Sequence, residues 1–393
     1  VLLAALVGCG GQPSAPDSAQ SAVRRLLEHR ATAVLHRDLS GFLTTEAPTG
    51  QPQADELATG REEFDNLAEV PLAAWAYRVT GFHRSGDRAT VDADLRYRLT
   101  GYDRAPITAG RTLTLVRSAG RWYVTSDEPA KKSAVQLWDQ GAVEVVRGAH
   151  SLVLGVGRTD AELKRYASLA DRAVPAVSEA WGTDWARKVV VVVPESLAGM
   201  AGLLGAQASA YRGIAAVTTG EVGGAGKAPA DRVVVNPEAY GVLGDFGRQV
   251  VLTHETTHVA TRTHTTPATP LWLSEGYADW VGYRGSGRGA AQIAPELDTA
   301  MSQGDVPAAL PADGDFAFGS DAGKLARAYE GGWMACRMIA DHWGEVRLDE
   351  FYRAVGEHDT RPGAVAAALK SVLDTTPAAF TARWQAYLRA QLG

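Results

Sequence analysis

The period of the apolar residues changes twice along this chain, and that change constrains the fold more than any other feature. From Val23 through Leu26, Leu27, Val34 and Leu35 the spacing is near 3.6 residues, the signature of one helix face. After a polar, turn-rich stretch from Thr44 to Asp65 the period becomes two. Trp75, Tyr77 and Val79 alternate with polar or small residues, as do Val91, Ala93, Leu95, Tyr97 and Leu99. Leu113 and Leu115, then Trp122 and Val124, continue the alternation. Gly86-Asp87 and Ala119-Gly120 mark turns between the runs. A helix followed by an antiparallel sheet with one wet face defines an α+β module over residues 21–130. The order of elements resembles the NTF2-like, cystatin-like fold. No catalytic constellation falls in this part, so it reads as a structural or docking module.

The stretch from Lys131 to Gln140 reads as a connection, and a second domain is expected over 140–393. It opens with the apolar run Ser151 to Val156. Thr159-Asp160-Ala161-Glu162 then has the form of a capping box. Leu163, Tyr166, Ala170, Val174, Val177 and Trp181 describe one helix face, with Pro175 expected to kink or end the helix. Val189–Val193 is a β-branched run suited to a buried strand, and Arg232 to Asn236 is another. From Gly244 onward the pattern is largely helical, broken by Gly/Pro loops near 284–295 and 302–320. Thr376-Pro377 opens the last helix, with Phe380, Trp384, Tyr387 and Leu388 on its inner face. At 393 residues the chain is long enough for two cores. Its net charge of −6 supplies no basic stripe, which argues against a nucleic-acid partner.

His254-Glu255-Thr256-Thr257-His258 carries the chemistry. On a helix, positions i and i+4 share a face, so two imidazoles can reach one Zn²⁺. Glu255 stands beside them, placed to act as a general base on water at the metal. Apolar flanks (Val250, Val251, Leu252, Val259 and Ala260) and the absence of proline from Gly244 to Thr266 favour the helix. Two groups compete as third ligand. His264 lies six residues after His258, the spacing of the longer H-E-x-x-H-x-x-G-x-x-H motif, but Thr261 occupies the position where that motif turns on a glycine. Glu275, at the start of a second helix beyond the Pro-bearing loop, is the better donor. Two His and one Glu leave a fourth position open, as a catalytic zinc requires. Asp279, one turn later on the same face, is placed to accept a hydrogen bond from a ligand imidazole and fix its tautomer.

H-E-x-x-H followed by Trp272-Leu273-Ser274-Glu275-Gly276 resembles the gluzincin zinc peptidases, the thermolysin and aminopeptidase N groups. The resemblance covers roughly residues 140–393. It implies a zincin-type domain, a small sheet then a mostly helical half, that hydrolyses peptide bonds in a peptide or protein substrate. Tyr329-Glu330-Gly331-Gly332 is similar to the Tyr-x-x-Gly helix start of the aminopeptidases, which implies that Tyr329 donates its phenol to the oxyanion. The Gly-Ala-Met-Glu-Asn segment that captures the substrate amine there is absent, with Glu221 a poor substitute, so endo- and exopeptidase action both stay open.

Leu6-Val7-Gly8-Cys9, after an apolar run too short to span a bilayer, resembles the lipobox of bacterial lipoproteins. That resemblance implies a truncated signal peptide, lipidation at Cys9, a flexible tether to about residue 20, and an extracytoplasmic protein anchored to the cell membrane. The other cysteine, Cys336, lies in an apolar helical pattern and reads as a buried thiol. The main rival function is a catalytically silent binding module on the same fold. A second rival takes the motif as a coincidence in a surface adhesion protein. A serine hydrolase is excluded by the lack of G-x-S-x-G.

Overall fold

The computed structural model describes residues 18–47, 57–219, 231–318 and 321–393; Cys9 with its lipobox-like run, and Glu221, lie outside them. The chain is α+β and divides into two compact units. One holds Val1–Phe64, Ala73–Tyr97 and Thr108–Ser133. The other holds Asp65–Leu72, Arg98–Ile107 and Ala134–Gly393.

The first unit carries helices α1 (Ser18–His36), α2 (Leu39–Leu43) and α3 (Leu57–Asn66) and a sheet of strand order β1-β2-β3-β4. The strands are Leu72–Ser85, Arg88–Leu99, Ile107–Ser118 and Arg121–Pro129. Every second residue of β2 from Ala89 to Leu99 is buried, as its period of two requires. Ala119 and Gly120, both at positive φ, close the tight antiparallel hairpin of β3 with β4. Val23 and Leu27 of α1 pack on Val91, Leu113, Leu115 and Val124 of the sheet.

The second unit is built on a five-stranded sheet of order β5-β6-β7-β9-β8. In sequence the strands are β5 (Val143–Arg147), β6 (Ser151–Val156), β7 (Val189–Val193), β8 (Ala216–Thr219) and β9 (Arg232–Val235). β7 is parallel to both neighbours and buried along its whole length, which is why an unbroken valine run suits it. β9 lies between β7 and β8, so it is an inner strand with Val233, Val234 and Val235 buried. Among the described residues the edges are β5 and β8, and β8 is antiparallel to β9.

Helix α4 (Asp160–Trp181) opens with the capping box of Thr159 and Glu162. It runs on unbroken through Pro175, because Ala170, Ala173, Val174 and Val177 bury the face around it and offset the lost hydrogen bond. Two short helices, α5 (Leu197–Leu203) and α6 (Pro237–Gly241), precede the helical half. That half contains α7 (Asp245–Thr261), α8 (Leu271–Tyr283), α9 (Ala290–Ile293), α10 (Pro295–Ser302), α11 (Ala322–Trp343), α12 (Glu345–Gly356), α13 (Ala364–Leu373) and α14 (Pro377–Leu392). Trp272, Trp333, Phe351, Phe380 and Trp384 belong to its core, with Cys336 as a fully buried free thiol. Helices α8 and α11 meet backbone to backbone. A Cβ on Gly276 would stand 2.3 Å from the Gly332 carbonyl, and one on Gly332 would stand 2.7 Å from the Trp272 oxygen. Only glycine permits so close an approach.

Candidate metal centre

Helix α7 supplies the first two donors. Asp245 in its first turn favours the helix dipole, and Val250, Leu252 and Ala260 bury its inner side. Its threonines fold their hydroxyls back onto the helix, as Thr253 does on the Gln249 carbonyl (2.9 Å) and Thr257 on the Thr253 carbonyl (2.8 Å). The polar side chains are thereby satisfied inside the core. His254 and His258 are left on one face, their rings edge to face at 4.7 Å.

After α7 the chain makes a single 3₁₀ turn, Arg262–His264, and a loop that Arg361 grips through the carbonyls of Pro267 (3.3 Å) and Thr269 (2.8 Å). Helix α8 then starts with its Leu271 amide donating to Asp313 (2.9 Å). One turn in, Glu275 reaches the imidazoles. Its Oε2 lies 3.2 Å from His254 Nε2 and 3.4 Å from His258 Nε2, and the two Nε2 atoms are 3.0 Å apart.

These separations test the donor set. Three atoms each about 2.0–2.2 Å from a tetrahedral Zn²⁺ stand roughly 3.3 Å from one another. The observed triangle has those edges, so the residues fit the ion. Among the described residues this is the single cluster of three groups able to hold a metal. His254 Nδ1 lies 2.8 Å from Asp279 Oδ1. A proton held there turns the Nε2 lone pair into the triangle. Burial works against the charged forms in both groups. The charge and hydrogen bond of Asp279 nevertheless raise His254 well above the usual histidine range, and the His258 charge with hydrogen bonds from both rings holds Glu275 well below the usual carboxylate range.

Glu255 is buried and points toward the sheet. Its Oε2 accepts a hydrogen bond from Thr218 Oγ1 (2.6 Å), which also lies 3.1 Å from the Glu255 carbonyl oxygen. Thr218 belongs to the edge strand β8, so this strand and the motif helix meet at this carboxylate. Tyr329, on α11, stands beside the triangle, its ring centroid 6.3 Å from that of His254. Burial and the charges of Glu275, Asp279 and Glu255 push the phenol well above its ordinary pKa, so it is a neutral donor. Phe316 packs against it edge to face at 5.2 Å.

His264 lies elsewhere. Its Nε2 is 2.8 Å from Arg353 and its ring packs edge to face on Trp181 at 5.5 Å. Without a glycine at position 261 the chain continues helically through the 3₁₀ turn, which carries this ring away from the other two. Thr218 carried no signal in the sequence, since it is 37 residues from Glu255 in a strand of four residues with no apolar alternation.

The site is therefore a three-donor centre of two imidazoles and one carboxylate, with a carboxylate beside it that is not a donor. No family model and no curated protein sequence matches the chain. Among solved structures it is similar to an M1 zinc metallopeptidase from Deinococcus radiodurans, a mutant form bound to a Tyr-Ser-Ala substrate. The TM-score is 0.35 and the identity 14%, over 82% of this chain and 61% of that one. It is also similar to a two-domain M1 zinc metallopeptidase mutant bound to L-arginine, with a TM-score of 0.36 and 12% identity, over 81% of this chain and 74% of that one. The chain thus spans about three fifths of the first of these proteins. Likeness at that TM-score assigns no residue a role.

Proposed function

We propose that the protein is a zinc-dependent peptidase with Glu255 as its general base. The observation that carries this reading is the His254, His258 and Glu275 triangle with Glu255, a fourth ionisable group, buried beside it and oriented by Thr218. A purely structural zinc site would have four protein donors and no use for that extra carboxylate.

A bound Zn²⁺ supplies Lewis acidity, polarising a carbonyl and bringing the pKa of water toward ~7. The protein's groups do the rest. An extended peptide pairs with the edge strand β8, main chain to main chain, which lays its backbone past Thr218 and Glu255. Glu255 takes the proton from the attacking water and then hands it to the departing amine. Tyr329 donates its phenolic proton to the oxygen that gains charge. Asp279 keeps His254 in the tautomer that ligates.

Replacing Glu255 by Gln preserves shape and donor triangle but removes the base. Glu255→Gln is expected to bind one zinc per chain and to lose roughly 10²–10⁴ in peptide turnover. A Gln variant as active as the wild type would sink the reading. The substrate-side location is part of the same proposal: Leu6-Val7-Gly8-Cys9 supports a lipid anchor on the outer membrane face, and no helix among the described residues is long and apolar enough to cross a membrane. Recovery of Cys9→Ser in the soluble fraction, with the wild type in membranes, is the expected result; equal partitioning of the two rejects the anchor.

A further inference from the structure

A second concave site lies in the same unit, and none of its lining residues belongs to the metal centre. It is a cleft of about 480 Å³ between α4, α6 and the start of α7. Four arginines line it, Arg158, Arg165, Arg172 and Arg248, against two carboxylates, Glu162 and Asp245. Two carboxylates offset only part of the charge of four guanidinium groups. Glu162 is turned onto its own helix start, accepting from the Thr159 amide (2.8 Å) and hydroxyl (2.7 Å). Asp245 is fully exposed and stands 3.8 Å from Arg248.

Structural arginines are commonly matched by carboxylates; three of these are held mainly by neutral acceptors. Arg158 donates to the carbonyls of Pro194 (3.1 Å) and Glu195. Arg172 donates to the Gln249 side-chain oxygen (2.9 Å) and the Ser168 hydroxyl (2.8 Å). Arg248 donates to the Gly241 carbonyl (2.8 Å). A guanidinium fixed in this way keeps its full charge and a defined fork direction. The Nε atoms of Arg158 and Arg248 are also buried with no acceptor among the described residues. Arg165 is exposed, with no salt bridge to a carboxylate among the described residues. One wall is aromatic: Tyr166 and Tyr240 pack at 5.1 Å, with Tyr240 hydrogen-bonded to the Arg248 carbonyl (3.1 Å).

Fixed guanidinium forks in excess over carboxylates, beside an aromatic wall, are the chemistry that recognises phosphate attached to a carbon skeleton. We propose that this cleft binds a phosphate-bearing anion, its phosphate oxygens on the arginines and its carbon portion against Tyr166 and Tyr240. The site is independent of what the metal centre does. The phosphate could be a free ligand's or a lipid headgroup's, and two probes separate the sources. One is titration calorimetry of the zinc-loaded full chain with inorganic pyrophosphate. The other is co-sedimentation with phosphatidylglycerol vesicles set against phosphatidylcholine vesicles, where anchor-driven binding is equal for both. Saturable pyrophosphate binding, or selective binding to phosphatidylglycerol, supports the site if Arg165→Glu and, separately, Arg172→Gln weaken it tenfold or more. Arg165 is on the surface, so that variant is expected to melt like the wild type and to keep its zinc and its turnover. Failure of both probes overturns the proposal, and so does binding that survives both substitutions, since it would then reside at the metal or elsewhere.

Discussion

The two units each bury a cluster of charge, and the clusters are built on opposite principles. In the first unit Arg30 and Arg111, each 1% exposed, sit among Glu46, Glu63 and Asp127. Arg111 Nε lies 2.7 Å from Asp127, Tyr77 donates to the same carboxylate at 2.6 Å, and Arg30 stacks over Phe42 at 4.0 Å. Burial would lower the pKa of Arg30, but the surrounding carboxylates raise it beyond its ordinary value. Cation and anion are both supplied by the chain. In the second unit the donors are lone pairs: two imidazole nitrogens and a carboxylate oxygen converge on one point, and the cation that would reconcile them is not a side chain. Buried charge by itself does not mark chemistry. What marks it is a set of lone-pair donors converging on one point, where only protons or a metal ion can reconcile them.

Three substitutions test that distinction. The largest effect is expected from Arg30→Met, which leaves buried carboxylates without a cation and costs about 3–5 kcal/mol of stability in urea unfolding. Zinc content should stay at one per chain; loss of zinc together with stability would show that the two clusters are not separate. Next is Tyr329→Phe. Removing one donor to the developing oxyanion should lower kcat by about 10²–10³ with little change in KM. A change in KM alone would make the phenol a packing group rather than a catalytic one. The smallest is Asp279→Asn, expected to weaken zinc binding by about 10–100-fold in competition with a chelating dye. Unchanged affinity would mean that the His254 tautomer needs no help, and the second cluster would then be as self-sufficient as the first.

What could be read from the sequence follows the range of the interactions. The burial alternation in β2 and the buried face of α4 are set by residues two to four apart, so their periods were legible. The shared face of His254 and His258, and that of Glu275 and Asp279, are likewise one-turn relations within single helices. Strand order was not legible. The run at Val233–Asn236, just before the motif helix, reads as an edge open to an extended peptide; it is an inner strand instead, and β8, short and without alternation, lies outside it. The small strand β5, between the connection Lys131–Gln140 and the run at Ser151, was missed for the same reason, since Val143–Arg147 is too short and too mixed to declare itself. Thr218 comes to Glu255 by way of that strand order, so no local rule could have found it. The arginine cleft too depends on α4 and the start of α7 packing side by side, 80 residues apart in the chain.

The contact of Gly276 with Gly332 sets a dimension that no functional group sets for itself. Glu275 precedes one of these glycines by a single residue and Tyr329 precedes the other by three, so the span from carboxylate to phenol is fixed by how near two bare backbones can come. The reach of the site is thus written in two missing methyl groups. A lineage that added one of them would widen the gap between carboxylate and phenol while leaving every polar residue in place.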